Sequence, residues 1–178
     1  MTSLWPGRAG VTGPALTFAE AVERHLDDVY RYLLYLTKNP GLAEDLAAET
    51  FERALREWRR FDPRRASAKT WLCQVARTTA LDRLRSDERR RARENRYAAE
   101  SESLADDPAD AVGLSPALAE ALGSLSAAER EIVALRVLLE LDDAQAARVL
   151  DISRSAASTR LNRALRKLKE RMTADALA

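Results

Sequence analysis

From Phe18 the apolar residues recur at intervals of four or three, at Phe18, Val22, Leu26, Val29, Leu33 and Leu36. A helix gathers that spacing into one stripe. The spacing returns at Leu42, Leu46, Thr50, Phe51, Ala54, Leu55 and Trp58, with Glu44, Asp45, Glu49, Glu52, Arg53 and Arg56 on the remaining circumference. A third run carries Trp71, Leu72, Val75, Ala76, Thr79 and Leu84 inward. Only 6 glycines and 6 prolines interrupt 178 residues, so the pattern predicts an all-α chain. The breaks fall where chain chemistry demands them. Asn39-Pro40-Gly41 ends the first helix, and Asp62-Pro63 begins a loop to Ala66, because proline fixes its own φ and biases its predecessor away from helix. Ser67 is placed to cap the third helix.

The composition narrows the function classes. Apolar residues make up 46% of the chain, enough for one core or two small ones, and charged residues 32%. With one cysteine, Cys73, no intramolecular disulfide forms and no thiol-based zinc site is available, which fits a reducing cytoplasm. His25 is the only histidine, better read as a surface or interhelical residue than as a catalytic base. No apolar run reaches signal-peptide or membrane-span length. With no Gly-rich phosphate loop and no nucleophile–base set, the expectation is a non-enzymatic protein without metal or cofactor.

Charge divides the chain. Residues 1–16 read as a flexible Gly/Pro-rich lead and 17–92 as a first helical domain. In 93–114 the stretch "AAESESLADDPADAVG" turns acidic and poor in large apolar side chains, the composition of a linker. Residues 115–173 read as a second domain, opened by Ser115-Pro116. Within it, Ser126 and Glu129 form a capping box. A short helix from Asp142 to Leu150, the turn Asp151-Ile152-Ser153 and a longer basic helix then follow in helix-turn-helix order.

That last helix concentrates positive charge in a chain of net charge +1. Ala157, Leu161, Ala164, Leu165, Leu168 and Met172 are assigned to its core stripe, leaving Arg154, Ser155, Ser158, Thr159, Arg160, Arg163 and Lys167 for an outer surface. Arginines interleaved with small hydroxyl residues suit a helix in a major groove, where Arg donates bidentately to guanine. A basic helix is otherwise merely solvated or complements its own dipole, the preferred reading for Lys169 and Arg171.

Taken in order, these segments resemble the extracytoplasmic-function group of bacterial sigma factors over about Phe18 to Met172. "AEDLAAETFERAL" is similar to that family's polymerase-binding segment, "KTWLCQVARTTALDRLR" to its minus-ten-recognising helix, and Leu125 to Leu168 to its minus-thirty-five-reading helix-turn-helix. The resemblance implies that Asp45, Glu49, Glu52, Arg53 and Arg56 face core RNA polymerase. It implies that Arg64, Arg65, Ser67, Lys69, Arg77, Thr78, Asp82, Arg83 and Arg85 engage the opened minus-ten strand, and that the outer row of the last helix reads the minus-thirty-five duplex. Its partners would be core polymerase, promoter DNA and an anti-sigma factor, and its acidic linker would thread the polymerase channel. Four positions depart from the family pattern: Ala48 for the usual Gln, Thr78 for Asn, Asp151 for the turn Gly and Ser158 for a phosphate-facing Lys. Trp71 is a tempting base-stacking residue, but its phase with Val75 favours core packing. The competing reading is a stand-alone helix-turn-helix regulator, which would recognise duplex DNA without polymerase.

Overall fold

The computed structural model describes residues 16–94 and 116–175. Among them every regular element is helical: α1 Phe18–Thr37, α2 Pro40–Glu57, a 3₁₀ turn Trp58–Arg60, α3 Ala68–Glu94, α4 Pro116–Gly123, α5 Ala127–Val133, a π-helical turn Ala134–Leu138, α6 Asp143–Leu150 and α7 Arg154–Asp175. The all-α expectation holds. Except for Leu16, the expected N-terminal lead lies outside the described residues. So does the expected acidic linker beyond Glu94, where α3 ends.

Local chemistry sets the helix starts. The Ser67 hydroxyl accepts the Thr70 amide at 3.1 Å, and Asn39 Oδ1 accepts the Leu42 amide at 3.0 Å with Pro40 in the first turn. Capping boxes close Thr17 with Glu20, Ser126 with Glu129 and Asp142 with Gln145. Replacing any one of these cap residues by alanine costs about 1 kcal/mol. Lys38 ends α1 in the left-handed region at φ 55°.

Helices α1, α2 and α3 pack on one another through Val29, Leu33, Leu46, Leu72 and Ala76, all buried. The same buried cluster continues into Ile132, Leu135, Leu139, Leu141, Ala146 and Leu150, because α3 packs on α6 and α1 on the π-helical turn. Of the two arrangements that the apolar content allows, one core or two small ones, the main cluster is shared by both halves. A smaller cluster of Ala121, Leu125, Val133, Ala164 and Leu168 holds α4, α5 and α7 together.

Several residues assigned inward by spacing face outward. Leu26, Leu55, Leu84, Leu165 and Met172 are exposed. On α1 Leu26 shares the phase of buried Leu33, so its exposure reflects where along the helix its neighbours pack and not its place around it. Leu55 lies a full residue step past Ala54, and Leu84 lies beyond Ala80, the last residue of α3 whose described side chain is buried. On α7 the contact seam is narrow: Ala157, Ala164 and Leu168 fill it, and Leu165 falls outside.

Candidate nucleic-acid interface

The turn that aims α7 depends on Asp151, which adopts φ 56°, ψ 48° and donates its amide to the Ala147 and Arg148 carbonyls. A short polar side chain tolerates this left-handed geometry, so the glycine usual in such turns is dispensable here. Ser153 then caps α7, accepting the Ala156 amide at 3.1 Å.

With Ala157 and Ala164 buried beneath, Ser155, Ala156, Thr159, Arg160 and Arg163 line one shallow open groove on the outer face. Arg154 is exposed at the helix start. Ser158 is half-buried and its hydroxyl donates to Asp143 Oδ2 at 3.4 Å. Asp143 also holds Arg136, whose Nε lies 3.1 Å away. Lys167 is not a free cation: its Nζ sits 2.9 Å from Glu129 Oε2. That contact, with the Ser126 amide and hydroxyl donating to the same oxygen, holds the Glu129 carboxyl down at about 2.

The second expected DNA surface is only partly assembled. The loop before α3 is folded by Asp62, whose Oδ1 accepts the Arg64 amide at 2.9 Å, and Arg64 and Arg65 are exposed. With Ser67 and Thr70 they line a cleft whose other wall is Ala144, Gln145 and Arg148 of α6. Lys69 is paired with Asp28 at 3.1 Å, and His25 shares that carboxylate at 3.3 Å. Arg77 donates from Nε to Glu131 Oε1 at 2.8 Å and from an Nη to Oε2 at 3.4 Å. Tyr32 donates its hydroxyl to the same carboxylate at 2.9 Å, and burial with the adjacent charge pushes its pKa well above the ordinary tyrosine range.

Thr78 is exposed and its hydroxyl donates to the Gln74 carbonyl. Asp82 is shared by Arg53 at 3.5 Å and Arg85 at 3.9 Å. Arg83 does not join this face. Five residues past Thr78 it lies well around the helix, where it pairs with Asp87 at 3.4 Å. Trp71 packs in a half-buried aromatic cluster, its ring 5.6 Å from Trp58 and 5.5 Å from Phe61, with Phe18 on the far side of Trp58. Cys73 is fully buried, which pushes its thiol up to about 12.

On α2, Asp45, Glu49, Glu52 and Arg56 project together from the exposed side, Glu52 and Arg56 paired at 3.5 Å. Arg53 borders them, reaching Glu57 at 3.3 Å. Sequence reasoning missed Leu55, which is 57% exposed and neighbours Glu52 one turn away. Its mismatch with the buried phase of Leu46, Thr50 and Ala54 is the signal that would have found it.

The description "Sigma-70 region 2" fits residues 21–90, and "Sigma-70, region 4" fits residues 115–168. The chain is 32% identical over 155 residues to the ECF RNA polymerase sigma factor SigM of Bacillus subtilis, covering 86% of this chain and 94% of that one. It is 33% identical over 167 residues to the ECF RNA polymerase sigma factor BldN of Streptomyces coelicolor, covering 92% of this chain but only 63% of BldN. The fold is similar to that of the sigma factor RpoE from Bartonella quintana, solved in complex with the anti-sigma factor NepR. The TM-score is 0.68 at 25% identity, over 89% of this chain and 98% of that one.

Proposed function

This chain belongs to the extracytoplasmic-function group of RNA polymerase sigma factors, and from that premise we infer how its surfaces share the work of promoter-directed initiation. It binds core RNA polymerase and directs initiation at minus-ten and minus-thirty-five elements. The observation that carries the reading is the ordered pair of sigma regions, the second ending in a helix-turn-helix with an open arginine-bearing groove.

Residues 17–92 form the polymerase- and minus-ten-binding part, 93–114 the linker and 115–173 the minus-thirty-five-binding part. Asp45, Glu49, Glu52, Arg53 and Arg56 dock on polymerase, where alternating charge sets register. Leu55 adds an apolar contact beside them. Arg154 and Arg160 read base edges while Arg163 holds phosphate, and the arginines and polar groups of the 64–85 segment receive the opened minus-ten strand. Sigma factors are non-enzymatic initiation factors, and this chain has no catalytic role of its own. Among the described residues no helix is long and apolar enough to cross a membrane, and the site of action is the cytoplasm, where polymerase works. RpoE of Bartonella quintana was solved bound to an anti-sigma factor, and this chain takes a partner of that class.

Mixing purified chain with core polymerase tests the reading. Co-elution on size exclusion, with duplex promoter bound only by the mixture, supports it. A chain that elutes apart and recognises duplex DNA alone overturns it.

A further inference from the structure

A strut of side chains crosses the helix-turn-helix beside the arginine groove. Asp143, in the first turn of α6, uses both carboxylate oxygens: Oδ1 lies 3.1 Å from Arg136 Nε, and Oδ2 accepts the Ser158 hydroxyl of α7 at 3.4 Å. Arg136 also donates from an Nη to the Leu141 carbonyl, which secures the turn into α6, where Glu140 takes a left-handed φ of 54°. We propose that Asp143 is a specificity-determining positioning residue: it sets the rotation of α7 against α6, and by holding Arg136 it keeps that guanidinium off the promoter phosphates. This rests on the reading of α7 as the minus-thirty-five helix.

The packing beneath α7 makes such a strut consequential. The buried seam consists of Ala157, Ala164 and Leu168, and an alanine offers no bulk that resists turning of the helix about its axis. A turn of about 20° at a side-chain radius of about 5 to 6 Å displaces a side chain by about 2 Å. A bidentate pair of hydrogen bonds to a guanine edge does not survive that shift. Ser158 stands at the edge of the seam, next to Ala157, and its bond to Asp143 is the side-chain hydrogen bond that joins α7 to α6 among the described residues. Arg154 lies one turn before Ser158 and Arg160 just after it, so both follow whatever fixes Ser158.

Charge acts at the same edge. Arg136 is partly exposed and reaches the flank of α7 through Asp143. A guanidinium free there would attract any duplex backbone, because phosphates carry no sequence information. Asp143 neutralises it, which lowers the affinity common to all sequences and leaves discrimination to the base-reading arginines.

The test measures binding of the full chain, with core polymerase, to a duplex bearing a minus-thirty-five element enriched from a randomised library and to a scrambled duplex, at several salt concentrations. Asp143→Ala should reduce the ratio of the two affinities at least about fivefold, tighten binding to the scrambled duplex and steepen the salt slope by about one. Asp143→Asn keeps an acceptor for Ser158 but not the charge, so it should restore most of the preference and retain the steeper slope. Ser158→Ala cuts the tie to α7 alone and should lower preference with the slope unchanged. Circular dichroism checks helix content; if Asp143→Ala loses it, the other two variants decide. Preference left intact by Ser158→Ala, an Asp143→Asn chain without the restored preference, or a folded Asp143→Ala chain that weakens both duplexes in proportion overturns the positioning role alone. A native chain that binds both duplexes equally overturns the reading of α7 and this proposal together.

Discussion

Lys167 Nζ lies 2.9 Å from Glu129 Oε2, so the arginine-rich helix α7 is tied to the capping box at the start of α5. The Glu129 carboxyl is held at about 2 against an ordinary 4.5, through Lys167 first and the Ser126 amide next. A depressed folded pKa contributes stability that is complete above 4.5 and is lost as pH falls toward 2. Unfolding followed by circular dichroism should show falling stability across that window, and Lys167→Met should weaken the dependence there. An unchanged acid profile in the variant would show that the pair does not set the Glu129 pKa.

The arginines of α7 should divide into two kinds. Arg154→Ala and Arg160→Ala should each cost about 1 to 3 kcal/mol and relax preference at one minus-thirty-five position. Arg163→Ala should weaken all sequences alike and lower the salt slope by about one. Lys167→Ala should affect stability as well as binding, because its ammonium also serves Glu129. Polymerase-dependent binding across a randomised element at several salt concentrations separates these outcomes.

Charge reversal at Asp45 and Glu49 should reduce polymerase binding at least about tenfold without loss of helix, since both side chains are exposed on α2. Leu55→Ser, on the neighbouring face, should weaken binding in the same assay. Normal binding by the doubly reversed chain would place the docking surface elsewhere.

Cys73 should not react with a thiol reagent at neutral pH in the folded chain, because burial both excludes the reagent and keeps the thiol protonated, its pKa pushed up to about 12. One thiol should titrate on denaturation. Rapid labelling of the native chain would contradict the packing of α3.

What the sequence made legible was local. The caps at Ser67 and Ser126 and the turn at Asp151 depend on residues within a few positions of each other, and all three are found as expected. The outer row of α7 was legible because the small residues beneath it, Ala157 and Ala164, keep phase with the helix. Stripe edges were less secure: Leu55 and Leu165 were assigned inward but lie one step beyond the contact seam, whose width depends on what packs against it. The shared core and the Glu131 contact were not legible at all. Tyr32 and Glu131 are 99 positions apart and Arg77 and Glu131 are 54 apart, and no local spacing marks such a pair. The Arg83–Asp87 pair, one helical turn apart, has a spacing that the sequence carries, and Arg83 stands well around α3 from Thr78.

This chain confers promoter specificity on polymerase. Transcription by core polymerase with and without the chain, from a template library randomised at both elements and at the spacer between them, measures that specificity. Transcripts should appear only when the chain is present, starting at one fixed position. Two elements should be enriched at one preferred spacing, and the signal should be lost when the spacer changes by half a helical turn. Core polymerase that transcribes identically with and without the chain, or a single enriched element bound without polymerase, would contradict it.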